Sequence, residues 1–309
     1  MKAELLTASR MNSFLACPRK HYYSHELGLR RAEPSGALHF GSAMHAALEA
    51  RANGATVNEA YDAALKTGSE FAEVDAATLY GLIGGYFRHY EGAADVVQRM
   101  DAEIEFKMRI DGSRAFIAAG KIDGLGVLKD GRTALVEHKT CSEDISAGAP
   151  YWERLRFNIQ LGQYVEAARA HGWNVECVIY DVIRKPSIRM RQNETPEEFG
   201  QRLLNDCAER PVFYFARCEV PIIEEHIQEF KIQREVICQN LLHCKRMARK
   251  AARSEFAWVR NCNGITCRTC EYASICLQNI RVDSDHVPTG FIIAPPNPEL
   301  DNGGAGVIS

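Results

Sequence analysis

The chain has 309 residues, with 37 Lys and Arg against 40 Asp and Glu. Hydrophobic residues make up 46% and charged residues 25%, a balance that is typical of globular proteins and excludes a mostly disordered chain. The net charge of -3 excludes a globally basic nucleic-acid coat but not a local basic groove. No apolar run reaches the ~18 residues that span a bilayer, and the N-terminus has no signal-peptide core. We therefore expect no membrane contact and a location in the cytoplasm of a bacterium or of a phage-infected host.

In chain order, the patterns first predict helices and then a strand-rich middle. Two short helical stretches are expected within residues 1–31, followed by helices at 43–52 (with Ser42 as N-cap), 57–72 and 75–100. Strands are expected at 103–110, 114–128 and 133–139, with turns at Asp111-Gly112 and Lys129-Asp130-Gly131. The later elements are a helix at 151–170, a strand at 175–183, a helix at 197–209, a strand at 212–219 and a helix from Pro221 to about residue 253.

This order places the strands in the middle of the chain and the helices on both sides. It predicts one α/β domain over residues 1–281, wrapped by helical ends, with residues 282–309 as an extended or mobile tail. We expect a central mixed β-sheet of about five strands flanked by helices.

The most informative segment is the predicted hairpin that carries Asp123, Glu137 and Lys139. Glu137 and Lys139 share a strand face because side chains alternate along a strand. A two-residue loop would put Asp123 opposite His138, on the wrong face. A three-residue loop that ends in Gly131 pairs Asp123 with Glu137 instead, and a glycine suits the left-handed position of that loop. The turn therefore favours two carboxylates and an ammonium on one face, where a divalent cation would offset the repulsion between the carboxylates. The alternative is a surface Glu–Lys ion pair.

These residues resemble a nuclease family. The order of Gly120-x-Ile122-Asp123, Glu137-His138-Lys139 and Gln160-x3-Tyr164 resembles the PD-(D/E)XK nuclease superfamily, and more narrowly its RecB-type members, which include CRISPR-adaptation nucleases and AddB. An upstream histidine, His45, matches the helix-borne histidine of that family. The resemblance spans residues 9–276 and implies a restriction-endonuclease-like fold.

The resemblance also implies roles for individual residues. Metal ligands would be His45, Asp123, Glu137 and the backbone carbonyl of His138. Lys139 would be the catalytic lysine, while Gln160 and Tyr164, which are spaced to share a helix face, would orient the site and substrate. The implied ion is Mg²⁺ or Mn²⁺, and an imidazole ligand makes Mn²⁺ competitive. A packed helix histidine is the alternative for His45.

Four of the eleven cysteines crowd into residues 262–276, which is typical of a metal site. Cys267, Cys270 and Cys276 supply three thiolates, and sequence spacing favours Cys262 as the fourth ligand because a short loop closes at low entropic cost. The resemblance instead implies Cys17. RecB-type nucleases with an iron–sulfur staple carry one N-terminal cysteine and a C-terminal C-x2-C-x5-C, so the implied cofactor is a [4Fe-4S] cluster that joins the two helical ends of the chain. Zn²⁺ is the alternative.

A late basic segment could bind DNA. Five basic residues and no acidic residue occur between Val236 and Ser254, and a helix that carries them could follow a phosphate backbone. They are Lys245, Arg246, Arg249, Lys250 and Arg253. A solvated helix face is the alternative.

Together, the motifs predict a metal-dependent DNA nuclease, in an exonuclease mode on single strands or DNA ends. We expect the nuclease to act in recombination, repair or CRISPR adaptation, and a phage genome is one expected origin of its gene. No G-x4-G-K-[ST] motif is present, so unwinding would need a helicase or another recombination or adaptation protein as partner. The competing hypothesis is a non-catalytic DNA-binding or scaffold protein that keeps a structural metal cluster.

Overall fold

The structure, a computed structural model, describes residues 3–33, 36–67, 71–91, 95–283, 285–295, 297 and 300. Its helices are α1 Ala8–Ala16, α2 Pro18–His21, α3 Gly36–Ala52, α4 Val57–Leu65, α5 Glu73–His89, α6 Pro150–Leu155, α7 Ile159–Ala170, α8 Pro196–Glu209, α9 Pro211–Tyr214, α10 Glu224–Ala248, α11 Gly264–Arg268 and α12 Ala273–Leu277. Its strands are β1 Glu4–Leu6, β2 Leu29–Arg31, β3 Val97–Arg109, β4 Phe116–Leu128, β5 Thr133–Cys141, β6 Cys177–Arg184, β7 Phe215–Pro221 and β8 Phe291–Ile293.

The chain divides into two compact units. The first contains Met1–Pro34, Glu105–Lys121 and Ile223–Ser309, and the second contains Ser35–Ile104 and Ile122–Ile222. The prediction of a single domain over residues 1–281 stays a prediction. Within the described part of the chain, none of the helices is both long and apolar enough to cross a membrane.

A mixed β-sheet organises the second unit. β4 pairs antiparallel with β5, β5 pairs parallel with β6, and β6 pairs antiparallel with β7, while β3 pairs with β4. The predicted α/β class, with a mixed sheet of about five strands flanked by helices, is confirmed. β6 is buried along nearly its whole length, as expected of a central strand.

The register of the β4–β5 hairpin is the one that the turn chemistry predicted. Gly124 pairs with Val136 and Val127 with Thr133, and the amide of Leu128 donates to the carbonyl of Arg132 at 2.8 Å. Gly131 has a φ of +90°, the left-handed conformation that its loop position requires. Asp123 and Glu137 therefore occupy the next positions on the two strands, just beyond the paired residues Gly124 and Val136.

Helices α5 and α8 pack closely in the same unit. A Cβ added at Gly85 of α5 would lie 2.5 Å from Cβ of Cys207 in α8, so the helix approach depends on this glycine. The packing belongs to a core that includes Met44, Leu82 and Tyr86. This core supports α3, the helix that carries His45.

The first unit joins elements from both ends of the chain. β1 runs parallel to the first residues of β4, and β2 pairs antiparallel with β8. The aromatic ring of Trp258 is buried and stacks on His21 at a centroid distance of 5.1 Å. In the predicted tail, residues 291–293 thus form a paired strand, whereas residues 301–309 lie outside the described residues.

Several predicted boundaries were wrong. Helix α3 begins at Gly36, so Ser42 lies inside it and is not its N-cap. The helix predicted to reach residue 100 ends at His89, and β3 begins at Val97, where Val97 and Met100 pack on apolar residues of the sheet. Tertiary packing thus overrides local helical spacing there.

The predicted elements later in the chain also shift. The helix at 151–170 is interrupted at Asn158, whose side chain caps α7 by accepting from the amide of Gln160. Pro221 ends β7 and does not open α10, which runs from Glu224 to Ala248. Pro211 opens a helical turn, so β7 begins at Phe215, later than the predicted residue 212.

Candidate active site and cysteine cluster

Helix α3 and strand β4 bring His45 and Asp123 together. Nδ1 of His45 lies 3.4 Å from Oδ1 of Asp123, and the Asp123 side chain is buried. Its other oxygen, Oδ2, accepts a hydrogen bond from the backbone amide of His138 at 2.8 Å. The backbone of β5 therefore holds the carboxylate of Asp123 through Oδ2, while Oδ1 faces the imidazole of His45.

The hairpin presents a second buried carboxylate beside the predicted lysine. Glu137 forms an ion pair with Lys139, and Nζ of Lys139 also donates to Oε1 of Gln160 at 2.9 Å. The side-chain amide of Gln160 donates in turn, through Nε2, to the hydroxyl of Tyr164 at 3.1 Å. The structure thus connects all four of these sequence-selected residues by a continuous chain of polar contacts.

The pKa values of Asp123, Glu137 and His45 are shifted in different directions. Burial alone would raise the pKa of Asp123, but the charge and hydrogen bond of His45 hold it below its usual range. Burial, followed by the negative charge of Asp123, raises the pKa of Glu137 despite its pairing with Lys139. For His45, burial opposes protonation, yet the charge of Asp123 leaves its pKa raised. Such a set of carboxylates gains by binding a cation.

His138, between the two key residues of the E-x-K motif, has its ring in a buried polar network. Its Nδ1 lies 3.2 Å from Oδ2 of Asp181 on β6, which is fully buried. Burial would raise the pKa of Asp181, but the guanidinium of Arg217 holds it well below its usual range. Tyr86 donates its hydroxyl proton to the same carboxylate. A polar residue at position 138 is therefore accommodated by a partner that sequence spacing did not reveal.

The structure places Glu103 beside His45 and Asp123, although no sequence motif indicated this residue. One nitrogen of His45 and one oxygen each of Glu103 and Asp123 lie within 4.8 Å of one another, as a group that could hold a metal ion. Glu103 has a φ of +56°, which breaks the regular alternation of β3. Alternation with Ile104 and Phe106 marked it only as a polar strand position, so spacing alone could not find it.

Five cysteines from two segments line one small cavity in the first unit. They are Cys17, Cys262, Cys267, Cys270 and Cys276. Burial raises the pKa of Cys270, and the nearby thiols of Cys17 and Cys276 add to that effect. The amide of Asn261 donates to Sγ of Cys17 at 3.4 Å, which ties the N-terminal cysteine to the C-terminal segment. Both candidates for a fourth ligand, Cys17 and Cys262, are therefore near the C-x2-C-x5-C cysteines.

Two of the five residues of the predicted basic segment form ion pairs with nearby carboxylates. Lys245 binds Glu4 at 2.9 Å and Glu26 at 2.6 Å, and Arg253 pairs with Glu255. These two cations are thus already offset by carboxylates. Lys245 lines a cavity of about 640 Å³ in the first unit with Arg246 and Arg249. Lys250 lies two residues after the end of α10, in an exposed turn.

Comparison with known proteins identifies the family of this chain. A sequence model of the PD-(D/E)XK nuclease superfamily matches residues 5–277. The chain belongs to the PD-(D/E)XK nuclease superfamily. Eighteen chains of solved structures match it significantly. One is titled "Crystal structure of SSO0001", with 14% identity, a TM-score of 0.40, and alignment over 89% of this chain and 88% of that chain. No curated protein matches significantly.

Membership gives the general chemistry. The superfamily generally comprises phosphodiesterases that cleave DNA with divalent ions such as Mg²⁺ or Mn²⁺, so it indicates a metal-dependent nuclease activity. The residues fit such an ion because the cluster combines two carboxylates with one imidazole. Carboxylate oxygens suit Mg²⁺, and the imidazole nitrogen favours Mn²⁺ more than an all-oxygen set would.

Proposed function

We propose that this protein is a RecB-type DNA nuclease that hydrolyses phosphodiester bonds as an exonuclease, on single strands or at DNA ends. The observation that carries the proposal is the convergence of Asp123 and His45 beside the Glu137–Lys139 pair. A scaffold protein has no need of two buried neighbouring carboxylates, since burial without a cation is unfavourable for both.

In this proposal, His45, Asp123, Glu137 and the carbonyl of His138 hold the ion. The bound ion would polarise the scissile phosphate and make its water more acidic. Lys139 is positioned by its contacts with Glu137 and Gln160, so that its ammonium can offset the negative charge that develops on the phosphate. Tyr164 keeps the amide of Gln160 oriented through their 3.1 Å hydrogen bond.

A large cleft in the second unit supports a single-stranded substrate. Its volume is about 980 Å³, and its lining includes Arg88, Tyr80, Phe87 and His138, together with the ion pair of Arg51 and Asp95. Arginine and aromatic side chains together favour single-stranded DNA, because bases stack on rings while cations attract the backbone. His138 connects this cleft to the site, since its backbone amide binds Asp123. We propose that a free strand enters along this cleft. In the first unit, Arg246, Arg249 and Lys250 are proposed as separate phosphate contacts.

We further propose a [4Fe-4S] cluster on Cys17, Cys267, Cys270 and Cys276. These four cysteines come from both ends of the chain and line one small cavity, which supports a shared metal group. The C-x2-C-x5-C spacing with one N-terminal cysteine favours iron–sulfur over Zn²⁺. We propose that the protein acts in the cytoplasm in recombination, repair or CRISPR adaptation. Its proposed partner is a helicase or another recombination or adaptation protein, and a phage genome is one proposed origin of the gene.

The nuclease proposal is tested with end-labelled single-stranded and duplex DNA in Mn²⁺, Mg²⁺ or EDTA. The wild-type protein should shorten single strands progressively in Mn²⁺ and be inactive in EDTA. Asp123→Asn should abolish cleavage, whereas Asp130→Asn in the exposed turn of the same hairpin should not. Binding of DNA without any cleavage, by a metal-loaded and cluster-loaded protein, would favour the scaffold hypothesis.

The cluster proposal has its own measurement, which is the visible spectrum of anaerobically purified protein with iron and sulfide analysis. The wild-type protein and Cys262→Ser should both show the broad visible absorbance of a thiolate-bound iron–sulfur cluster, whereas Cys17→Ser should lose it. Bound zinc without sulfide, or loss of the metal in Cys262→Ser alone, would contradict the proposed ligand set.

A further inference from the structure

The backbone of β3 is unusual at the metal-ligand group. Glu103 has a φ of +56°, and Asn279 is the other non-glycine residue with a positive φ in the described ranges. This region of backbone space is unfavourable for residues with a Cβ, and asparagine tolerates it better than glutamate. A glutamate in this conformation is therefore unexpected in a strand unless its side chain has a specific task.

The left-handed residue changes where the side chain points. In a regular strand, residue 103 would simply alternate with its neighbours. Here one carboxylate oxygen of Glu103 lies within 4.8 Å of both a ring nitrogen of His45 and an oxygen of Asp123. Donor atoms around a six-coordinate Mg²⁺ or Mn²⁺ lie about 3 to 4.3 Å apart, as follows from bonds of ~2.1 Å. The observed group thus needs only small side-chain movements to surround one ion.

Charge balance favours the same arrangement. Glu137 already forms a close ion pair with Lys139. Asp123 places one carboxylate oxygen 3.4 Å from Nδ1 of His45. A second carboxylate is needed to neutralise a divalent cation on this side of the site. Glu103 brings that carboxylate into reach of His45 and Asp123.

We propose that Glu103 is a direct ligand of the divalent cation, together with His45 and Asp123. The inference rests on the proposed nuclease function and adds a ligand that the nuclease motifs of the sequence do not contain. It also divides the work of the carboxylates. Asp123 and Glu103 supply the charge that binds the ion, while Glu137 connects the ion to Lys139.

The test is Mn²⁺ binding by the full, cluster-loaded chain without DNA, measured by calorimetry and by the electron paramagnetic resonance signal of free Mn²⁺. Glu103→Gln keeps the size of the side chain but removes its charge. Loss of even an outer-shell partner weakens metal binding by about 10- to 100-fold, so loss of a ligand should weaken it by at least about tenfold. Asp123→Asn should have a similar effect. Asp101→Asn is the matched control, because it removes the same charge from an exposed position of the same strand.

The outcomes separate the inference from the proposed function. Wild-type affinity in Glu103→Gln, with weak binding in Asp123→Asn, would overturn the role of Glu103 and leave the nuclease proposal intact. Equal weakening by Asp101→Asn would also overturn it, since the effect would then be one of general charge. If Asp123→Asn binds Mn²⁺ like the wild type, the metal site of the proposed function itself is wrong. Should Glu103→Gln fail to fold, Glu103→Gly provides the same comparison, because glycine accepts the left-handed backbone.

Discussion

Arg217 on β7 supplies a partly buried positive charge to the polar network behind the site. Its guanidinium contacts Asp181, which is fully buried, at 3.3 Å and also pairs with Asp95. Asp181 in turn contacts the ring of His138, the residue whose backbone amide holds Asp123. The network therefore connects the stability of the sheet to the position of a candidate metal ligand.

Removal of this cation should be costly because it leaves Asp181 buried without a full counter-charge. We expect Arg217→Met to lower the free energy of unfolding by about 3–5 kcal/mol, as is typical when one partner of a buried ion pair is lost. Arg132→Met is the control, since Arg132 contacts Glu219 at 2.6 Å and Asp130 at 2.8 Å at an exposed position. Its urea midpoint should stay close to that of the wild type. Equal midpoints for the two variants would contradict the importance of burial here.

At the scale of elements, helices α5 and α8 depend on a close approach at Gly85. The neighbouring Gly84 also faces α8, but there an added Cβ would meet the end of the flexible Leu204 side chain at 3.0 Å. The two glycines therefore differ in the freedom of their neighbours, although they share one helix.

This difference gives a matched pair of substitutions. Gly85→Ala should destabilise the protein by about 1–3 kcal/mol, because its Cβ would overlap Cβ of Cys207 at 2.5 Å and force the helices apart. Gly84→Ala should be neutral or slightly stabilising, since alanine favours the helix and Leu204 can move. Thermal unfolding of both variants measures the effect. A stable Gly85→Ala protein would refute the close approach.

The hairpin shows which structural features the sequence could predict. The register of β4 and β5 was predictable because Gly131 and the loop length specify it locally. The start of β3 was not, because Val97 and Met100 also fit a helical pattern and pack as a strand only through contacts with distant residues. Glu103 escaped sequence analysis for a related reason, since its left-handed backbone redirects the side chain.

At the scale of the whole molecule, two neutral histidines make stability depend on pH. Burial, followed by the charge of Arg10, lowers the pKa of His21 to about 2. Burial and then Arg10 also lower the pKa of His25 to about 3. The unfolded chain binds protons at both positions below pH 6.5, whereas the folded chain does not until pH falls towards 3. Folding therefore becomes less favourable as pH falls through this window.

The loss of folding stability can be measured by urea unfolding between pH 7 and pH 5 under anaerobic conditions. Each histidine should cost about 2 kcal/mol at pH 5, since 1.5 pH units separate this pH from the unfolded pKa. His25→Phe keeps a ring against His21 and should remove about one proton from the slope. An unchanged slope in this variant would show that His25 titrates alike in the folded and unfolded chains.

We propose that Lys139 takes part in the hydrolysis of DNA at a metal site that is held by other residues. The most direct test compares single-turnover cleavage of a single strand and Mn²⁺ affinity in Lys139→Ala, with Lys129→Ala in the exposed turn as control. We expect Lys139→Ala to cleave about 100- to 1,000-fold more slowly, as for other charge-stabilising groups, with Mn²⁺ affinity and fold retained, and Lys129→Ala to match the wild type. Cleavage by Lys139→Ala near the wild-type rate, after exclusion of contaminating nucleases, would contradict the account.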